Sequence, residues 1–505
     1  MLSRRRLLQG AALGSVATAV AGLVPSTARA AILAGSSAVD RDVDAATLDG
    51  RPVTLKRAEL QELGESLRGN LLLAGHTAYE QARRVWNAQM DRRPALIVQP
   101  RGAADVKQAV DFARAHRLML AVKCGGHSPS GKSTTEKGLL VDLSLLRGVR
   151  VDARSRIARV AGGSLLGDLD QEAMAQGLVT TAGTVSHTGV GGLTLGGGFG
   201  RVARRFGLAL DNVRAVDVVT GTGDIVRASA EENPELLWGT RGGGGNFGIV
   251  TGFDFDLHPM QRQVVGGDIL FPLSQAKQVL KFWSEYEAEA PEELYLSALV
   301  GSNIGFSGNS GVGFSICYSG SPSGAEAILK RVRSAGKPLI DALRPVDYVA
   351  LQRSGDGDER RAIGSYTKTG FVRQVLPALV EAIVSHLEAH PERSTVVAFQ
   401  HCGGAISRIA PDATAFPHRD IHATCLLAVD WPGEIDPTRH VEWLLKYWAQ
   451  IEPHTDGFYT NDVVNETQQQ VDANYLGNYP RLVQLKNRYD PMNLFRLNAN
   501  VRPTV

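Results

Sequence analysis

The chain has 505 residues, 43% of them hydrophobic, which is enough for two domains and an ample core. Lysine and arginine (54) nearly balance aspartate and glutamate (52), and beyond the first thirty residues no basic run appears, so a basic-patch argument for nucleic acid is excluded. Four cysteines, Cys124, Cys317, Cys402 and Cys425, are too few for a disulfide framework and read as buried free thiols.

In chain order, Ser3-Arg4-Arg5-Arg6-Leu7-Leu8-Gln9 precedes an alanine-rich apolar run from Ala11 to Val24, and Ala28-Arg29-Ala30 sets small residues at the outer positions of a cleavage site. Residues 1–30 resemble a twin-arginine signal peptide, with an apolar run too short and too weakly hydrophobic for a membrane span. The expectation is a periplasmic or secreted protein, handed folded and cofactor-loaded to the twin-arginine export machinery, with no stable membrane anchor.

Residues 31–56 lack sustained periodicity and read as a linker, and Arg57 to Arg68 reads as a polar helix. From Pro94 the pattern sharpens into a β-α-β unit: strand 95–98, an amphipathic helix 103–117 with Val106, Ala109, Val110 and Ala113 on one face, and strand 119–123. Strands at 139–143, 149–152 and 157–161 follow, then a helix 165–176 with Gly177 at its C-terminal cap. Val213 to Thr220 and Asp224 to Ala228 flank Gly221-Thr222-Gly223 as a hairpin, a short helix spans 231–238, and Ile249 to Leu257 alternates as a half-buried strand. This mixture argues an α+β fold rather than a doubly wound parallel sheet.

Past Pro259, long strands alternate with long helices: helices near 274–289, 325–334, 376–388 and 438–451, and strands near 294–300, 311–318, 394–400 and 423–431. The pattern predicts a second domain over 260–464, an antiparallel sheet backed by helices. The first domain then spans 57–259.

Two glycine-dense stretches carry the candidate chemistry. The first is Lys123-Cys124-Gly125-Gly126-His127-Ser128-Pro129-Ser130-Gly131, a loop leaving a strand with His127 at the apex of an anion-cradling turn. The second runs from Gly183 to Gly200 and offers a long backbone surface for a flat or pyrophosphate-bearing cofactor. The two read as halves of one site. Gly198-Phe199-Gly200-Arg201-Val202-Ala203 also satisfies a dinucleotide G-x-G-x-x-A pattern, but more glycines stand where that fingerprint needs a strand.

Together with Arg241-Gly-Gly-Gly-Gly-Asn-Phe-Gly-Ile-Val-Thr251 and Arg488-Tyr-Asp-Pro-Met-Asn-Leu-Phe-Arg-Leu-Asn-Ala-Asn500, these stretches resemble, in family order and spacing, the berberine-bridge-enzyme-like FAD-linked oxidases. That family lies within the vanillyl-alcohol-oxidase / p-cresol methylhydroxylase flavoprotein superfamily, and the chain resembles a bacterial member from about Arg93 onward. The resemblance implies a two-part FAD-binding domain, with residues 465–505 returning to it. It implies FAD bonded to His127 through an imidazole nitrogen, with Gly125, Gly126 and Ser128 matching around it. Bicovalent members carry a cysteine where this chain has Val185, so the flavin is expected to be monocovalent.

The remaining implied cofactor contacts are Gly183, Thr184, His187, Thr188, Gly189, Gly191, Gly192, Gly198, Gly248, Ile249, Val250, Asn498 and Asn500. His187 reads equally as a core or surface histidine, and the two asparagines also read as a C-terminal cap. For the base, many members end a Tyr-x-Asn-Tyr segment in tyrosine, whereas here it is Tyr459-Thr460-Asn461-Asp462. Asp462 is then one candidate base and His401, on the strand expected to floor the pocket, the other. Leu426, at the sheet position where others carry glutamate, offers no acid. A metal is not expected, since His401 with Cys402, or His418 with His422, lacks a third ligand at metal-like spacing.

The expected activity is hydride transfer from an alcohol, a sugar or a reduced heterocycle, a small-molecule substrate, with dioxygen as acceptor and hydrogen peroxide as product. A dehydrogenase with another acceptor and a flavin-bearing protein that sequesters a ligand stand as alternatives.

Overall fold

The computed structural model describes residues 35–356, 363–462 and 464–505; the expected signal peptide, residues 1–30, lies outside them. The first part of the molecule holds two sheets. In the first, Leu96–Gln99 and Leu120–Lys123 both pair parallel with Leu139–Asp142, and Asn70–Leu72 closes the edge antiparallel. The helix Ala103–Ala115 buries Val106, Ala109, Val110 and Ala113 against this sheet, the face its spacing predicts. The second sheet is antiparallel, ordered Ile225–Ala228, Val213–Thr220, Gly248–Asp256, Ile157–Ala161, Val149–Asp152. Gly177 takes φ +68° behind the helix Leu166–Met174, the left-handed cap its position calls for.

One expectation fails at the start. Within 31–56, Val43–Ala46 and Pro52–Leu55 form an antiparallel hairpin whose Ala45, Leu48 and Leu55 are buried in the core of the first sheet. Four-residue strands are too short for a period of two to register in sequence, so the segment passes for a linker.

The second part is an antiparallel sheet of eight described strands. Its order is Ile340–Asp341, Gln263–Pro272, Gly311–Tyr318, Leu294–Ser302, Ser394–His401, Ala423–Pro432, Ile363–Val372, with Arg344–Asp347 also on Gln263–Pro272. The strands Gln263–Pro272 and Ile363–Val372 escape the sequence reading because Gly266-Gly267-Asp268 and alternating Ser365, Thr367 and Thr369 interrupt their apolar runs.

Helices Ala276–Tyr286, Pro377–His386 and Thr438–Ile451 cover one sheet face around Trp283, Phe399, Leu427 and Trp431. Strand alternation decides the rest: Val397, Phe399, Cys425, Leu427 and Val429 go under the helices, and Val396, Ala398, Gln400, Thr424, Leu426 and Ala428 face the first part.

The helix Tyr479–Tyr489 packs Leu482, Leu485 and Tyr489 onto Trp238 and Phe247 of the first part. Beyond it the tail is turned back by a buried ion pair. Lys486 Nζ donates to Asp490 (2.7 Å) and to the carbonyls of Asn246 (2.9 Å) and Phe495 (3.0 Å), while Asp490 accepts from the amides of Leu494 and Phe495. Among the described residues no helix is long and apolar enough to cross a membrane.

Candidate active site

A cavity of about 500 Å3 opens between the two parts, and most of the predicted site residues border it. Its first wall is the loop after Leu120–Lys123. Gly126 has φ +70°, which turns the chain so that its carbonyl accepts from the Trp86 amide (2.9 Å) and the Trp86 ring stacks on His127 with centroids 5.8 Å apart. Asn87 ties this loop to the second part, donating to Pro129 O (2.6 Å) and Ser365 O (2.9 Å).

The second glycine stretch locks against the first. A Cβ on Gly125 would meet the Gly189 nitrogen at 2.3 Å, and one on Gly189 would meet the Gly125 nitrogen at 2.3 Å and Cys124 Sγ at 2.5 Å, so neither position admits a side chain. Across this contact His127 Nε2 lies 2.6 Å from His187 Nδ1. The predicted ambiguity at His187 resolves into a partner of His127 rather than a residue bordering the cavity.

Gly183, Thr184, Thr188, Gly191 and Gly192 all line the cavity. Space ahead of Gly192 is open, with nothing within 4 Å of an added Cβ. Gly198 departs from its expected role: it is absent from the cavity wall, its Cβ position is filled by Ala209 at 2.3 Å, and its amide donates to Tyr459 Oη (2.9 Å). A helix, Val190–Gly196, precedes it rather than a strand, which removes the dinucleotide reading.

Gly248, Ile249 and Val250 border the far end with Gly244 and Gly245. Asn498 reaches the same end, its Oδ1 3.3 Å from a Cβ placed on Gly245. Asn500 does not reach it; its carbonyl accepts from Gln468 (2.7 Å), because the return of the tail puts it past the cavity. The residue that seats the tail is Asn246, which the sequence reading passes over. It is fully buried, donating to Gly243 O and Ala499 O and accepting from the Val501 amide.

The sheet face closes the cavity opposite the glycine walls. Asp462 lines it, half-buried, and burial pushes its carboxyl up to about 6. It ends the turn begun by Tyr459, a turn docked on Ile363–Val372 by Thr367 Oγ1 donating to Asp462 O and by the Tyr459 amide donating to Thr369 Oγ1 (2.9 Å). Tyr459 also lines the cavity. Its hydroxyl accepts from Gly198 N and from Asn461 Nδ2 (2.8 Å), and burial, then the charge of Asp462, raise its pKa, which makes it a proton holder rather than a base at neutral pH.

His401 is a correction. It shares the parity of Val397 and Phe399, so it points away from the cavity into the helix layer, where its Nε2 meets Arg204 Nη1 (2.7 Å) and Glu287 O (3.0 Å). Gln400 takes the cavity position instead. Leu426 lines the cavity as expected without an acid, but Asp430, four residues on and in the same alternation, adds a carboxylate that the sequence reading missed.

Three further residues staple the halves. Gln352 donates to Gly183 O (2.9 Å) and accepts from Arg201 Nη1 (2.7 Å), Arg201 donates to Thr184 O (3.1 Å), and Asp356 accepts from the Ser186 amide (2.8 Å). None of the four cysteines is in a disulfide. His418 bonds Asn474 and His422 bonds Glu287, so that pair diverges, and among the described residues no group of three side chains is arranged to hold a metal ion.

The residues fit a flavin dinucleotide. A backbone-built wall with open space ahead of Gly192 suits a flat ring, a half-buried histidine stands on that wall, and glycines 244 and 245 admit close approach to a phosphate.

Residues 94–229 match a family described as FAD binding domain, and residues 459–502 one described as berberine and berberine like. An FAD-linked oxidoreductase of Dictyostelium discoideum is 32% identical over 449 residues, 88% of this chain and 97% of that one. The (R)-6-hydroxynicotine oxidase of Paenarthrobacter nicotinovorans is 29% identical over 453 residues, 87% and 97%. Among solved structures, 6-hydroxy-D-nicotine oxidase from Arthrobacter nicotinovorans superposes with a TM-score of 0.80 at 28% identity, covering 86% of this chain and 98% of that one. A chitooligosaccharide oxidase does so at 0.79 and 23%, covering 88% and 99%.

Proposed function

The chain belongs to the berberine-bridge-like FAD-linked oxidoreductases, and we propose that it is an exported oxidase with FAD bonded to His127 alone, acting on a small alcohol, sugar or reduced heterocycle. The observation that carries this reading is one cavity with His127 and two interlocked glycine loops on one side and Asp462 on the other. Bound there, FAD would supply a two-electron oxidation of a C–H bond beside oxygen or nitrogen, with dioxygen as the final acceptor.

The chain's own part is to hold and move protons. His187 engages Nε2 of His127 and so fixes the imidazole at the cavity wall, and Nδ1 is the ring nitrogen that would carry FAD. Val185 lines the cavity where a second bond would need a thiol. Asp462, with a carboxyl near 6, is largely ionised at neutral pH and accepts the O–H or N–H proton of the substrate as the C–H bond breaks. Tyr459 stays protonated, and its two donors fix its hydroxyl at the cavity wall. Small and hydroxyl-bearing side chains from the sheet strands, Ser315, Ser365, Ala398 and Thr424 among them, leave room for a substrate. Relatives named for nicotine and for chitooligosaccharide oxidation are compatible with either a heterocycle or a sugar here. Export rests on the leader, Arg4-Arg5-Arg6 with Ala28-Arg29-Ala30.

The test is a peptide mass map after acid precipitation. An FAD adduct on the peptide containing His127, lost to extractable FAD in His127→Ala, is expected; flavin that stays acid-stable in His127→Ala overturns the assignment. Oxygen consumption matched by peroxide on substrate addition separates the oxidase from a dehydrogenase. N-terminal sequencing of the exported protein checks cleavage after Ala30.

A further inference from the structure

We propose that Arg201 forms an anion subsite inside the cavity, and that the substrate carries a carboxylate elsewhere than the carbon that is oxidised. The inference rests on the oxidoreductase reading above and goes beyond it by naming a second functional group on the substrate.

Arg201 borders the cavity although only 6% of it is exposed. Its Nη1 is spent on Gln352 Oε1 and Thr184 O. Its Nε is covered and has no hydrogen-bond partner. Nη2 makes no hydrogen bond to a described residue and, unlike Nε, is not sealed off, so it is the nitrogen presented to a ligand. Among the described residues no carboxylate forms an ion pair with this guanidinium.

Asp170, in the same polar cluster, is held one step away. Gln352 stands between Arg201 and Asp170, giving its amide oxygen to the guanidinium and its amide nitrogen to Asp170 Oδ2 (3.1 Å). Burial pushes Asp170 up to about 7 and Asp268 up to about 6, with Arg201 pulling against burial in both. A buried cation without a contacting anion is costly. An anionic ligand entering the cavity removes that cost. Tyr295 borders the same cavity and brings a hydroxyl donor suited to a carboxylate, while the Ser315 hydroxyl is already engaged by Asp268.

A planar carboxylate matches this set better than a bare halide, since Arg201 brings a guanidinium donor from the glycine stretch and Tyr295, on a separate strand but near enough to feel its charge, brings a hydroxyl. No hydride leaves a carboxylate carbon, so the group it recognises is a handle. The reacting C–H bond lies elsewhere on the molecule.

Calorimetry on the flavin-loaded enzyme, with benzoate and benzyl alcohol as probes sharing one ring, tests this. Benzoate is expected to bind at least tenfold more tightly than benzyl alcohol, Arg201→Gln to abolish the preference and Arg201→Lys to keep part of it. Equal binding of the two probes to wild type, or no measurable benzoate binding, overturns the proposal, and neither comparison requires a variant to fold. A loss of both probes alike in Arg201→Gln overturns it too, since that is the mark of a role confined to holding Thr184 and Gln352. Formate binding as tightly as benzoate would indicate a free-anion site and overturn the assignment to the substrate. Flavin is assayed on the same samples by acid precipitation. A preparation without flavin sinks the oxidoreductase reading, whereas equal probe binding to flavin-loaded protein sinks the anion subsite alone.

Discussion

The cavity wall on the flavin side is main chain, whereas the wall opposite is side chain. On the first, Gly125 and Gly189 approach until a single added carbon would sit 2.3 Å from a backbone nitrogen. On the second, every other residue of Leu294–Ser302, Ser394–His401 and Ala423–Pro432 projects from a sheet whose pleat is indifferent to what the side chain is. A wall of the first kind is restricted to one ligand shape. The second can change its ligand by substitution without moving its strands, which suits a fold that keeps one cofactor and varies its substrate.

The sharpest way to break that contrast is to add the same small group to each wall. Gly189→Ala forces a Cβ onto backbone and Cys124 Sγ, so purified protein is expected to carry no flavin by absorbance, if it folds at all. Ala398→Ser, on the opposite wall, is expected to keep full flavin content. Equal flavin loss in both would show that the sheet tolerates an added atom no better than the loops do.

A smaller effect comes from the chemistry that the sheet side supplies. Asp462→Asn should slow anaerobic flavin reduction at least tenfold, about 1.4 kcal/mol of barrier or more. A base at Asp462 would act ionised and its carboxyl is pushed to about 6, so the wild-type rate should rise as pH climbs through 6 and then level off, and that rise should vanish in the variant. A rate untouched by the substitution would pass the role of base to Asp430 on the neighbouring strand.

The next effect lies on the flavin wall. His187→Ala removes the partner of His127 Nε2 but no part of the glycine cradle. The covalent fraction of FAD is expected to fall several-fold with total FAD unchanged, read by acid precipitation, and an undiminished covalent fraction would make the histidine pair incidental.

The same contrast explains what is legible in the sequence. Backbone walls are written as glycines close together in the chain, so the loops at 125–128 and 183–192 and the return at Asn498 can be placed before any fold is known. The sheet wall is assembled from strands up to 160 residues apart, from Leu270 to Asp430, and no local pattern marks it. One local signal does exist: Val397, Phe399 and His401 alternate on one face, and that period of two puts His401 under the helices and Gln400 in the cavity. Arg201 lies inside the G-x-G-x-x-A pattern, where a dinucleotide motif gives an arginine at that position no meaning. Gln352 and Asp356 carry no motif at all, since their role exists only once the two parts meet.

That junction gives the smallest effect and a different kind of test, because it asks whether polar groups joining the walls are kept for stability. Asp170 is 3% exposed, and burial lifts its carboxyl from 3.8 to about 7. A folded-state pKa above the unfolded one means that the native protein holds a proton the unfolded chain has released. Stability from this group is therefore present below about 4 and is lost as pH rises toward 7. Asp170→Asn keeps an oxygen for Gln352 Nε2 and never ionises. The melting temperature is expected to rise by a few degrees at pH 8, and the gain to shrink by more than half at pH 5, where the native carboxyl is already neutral. A variant that melts lower than wild type at pH 8 would mean that the charge on Asp170 stabilises the junction through Arg201, and that the guanidinium already has its anion.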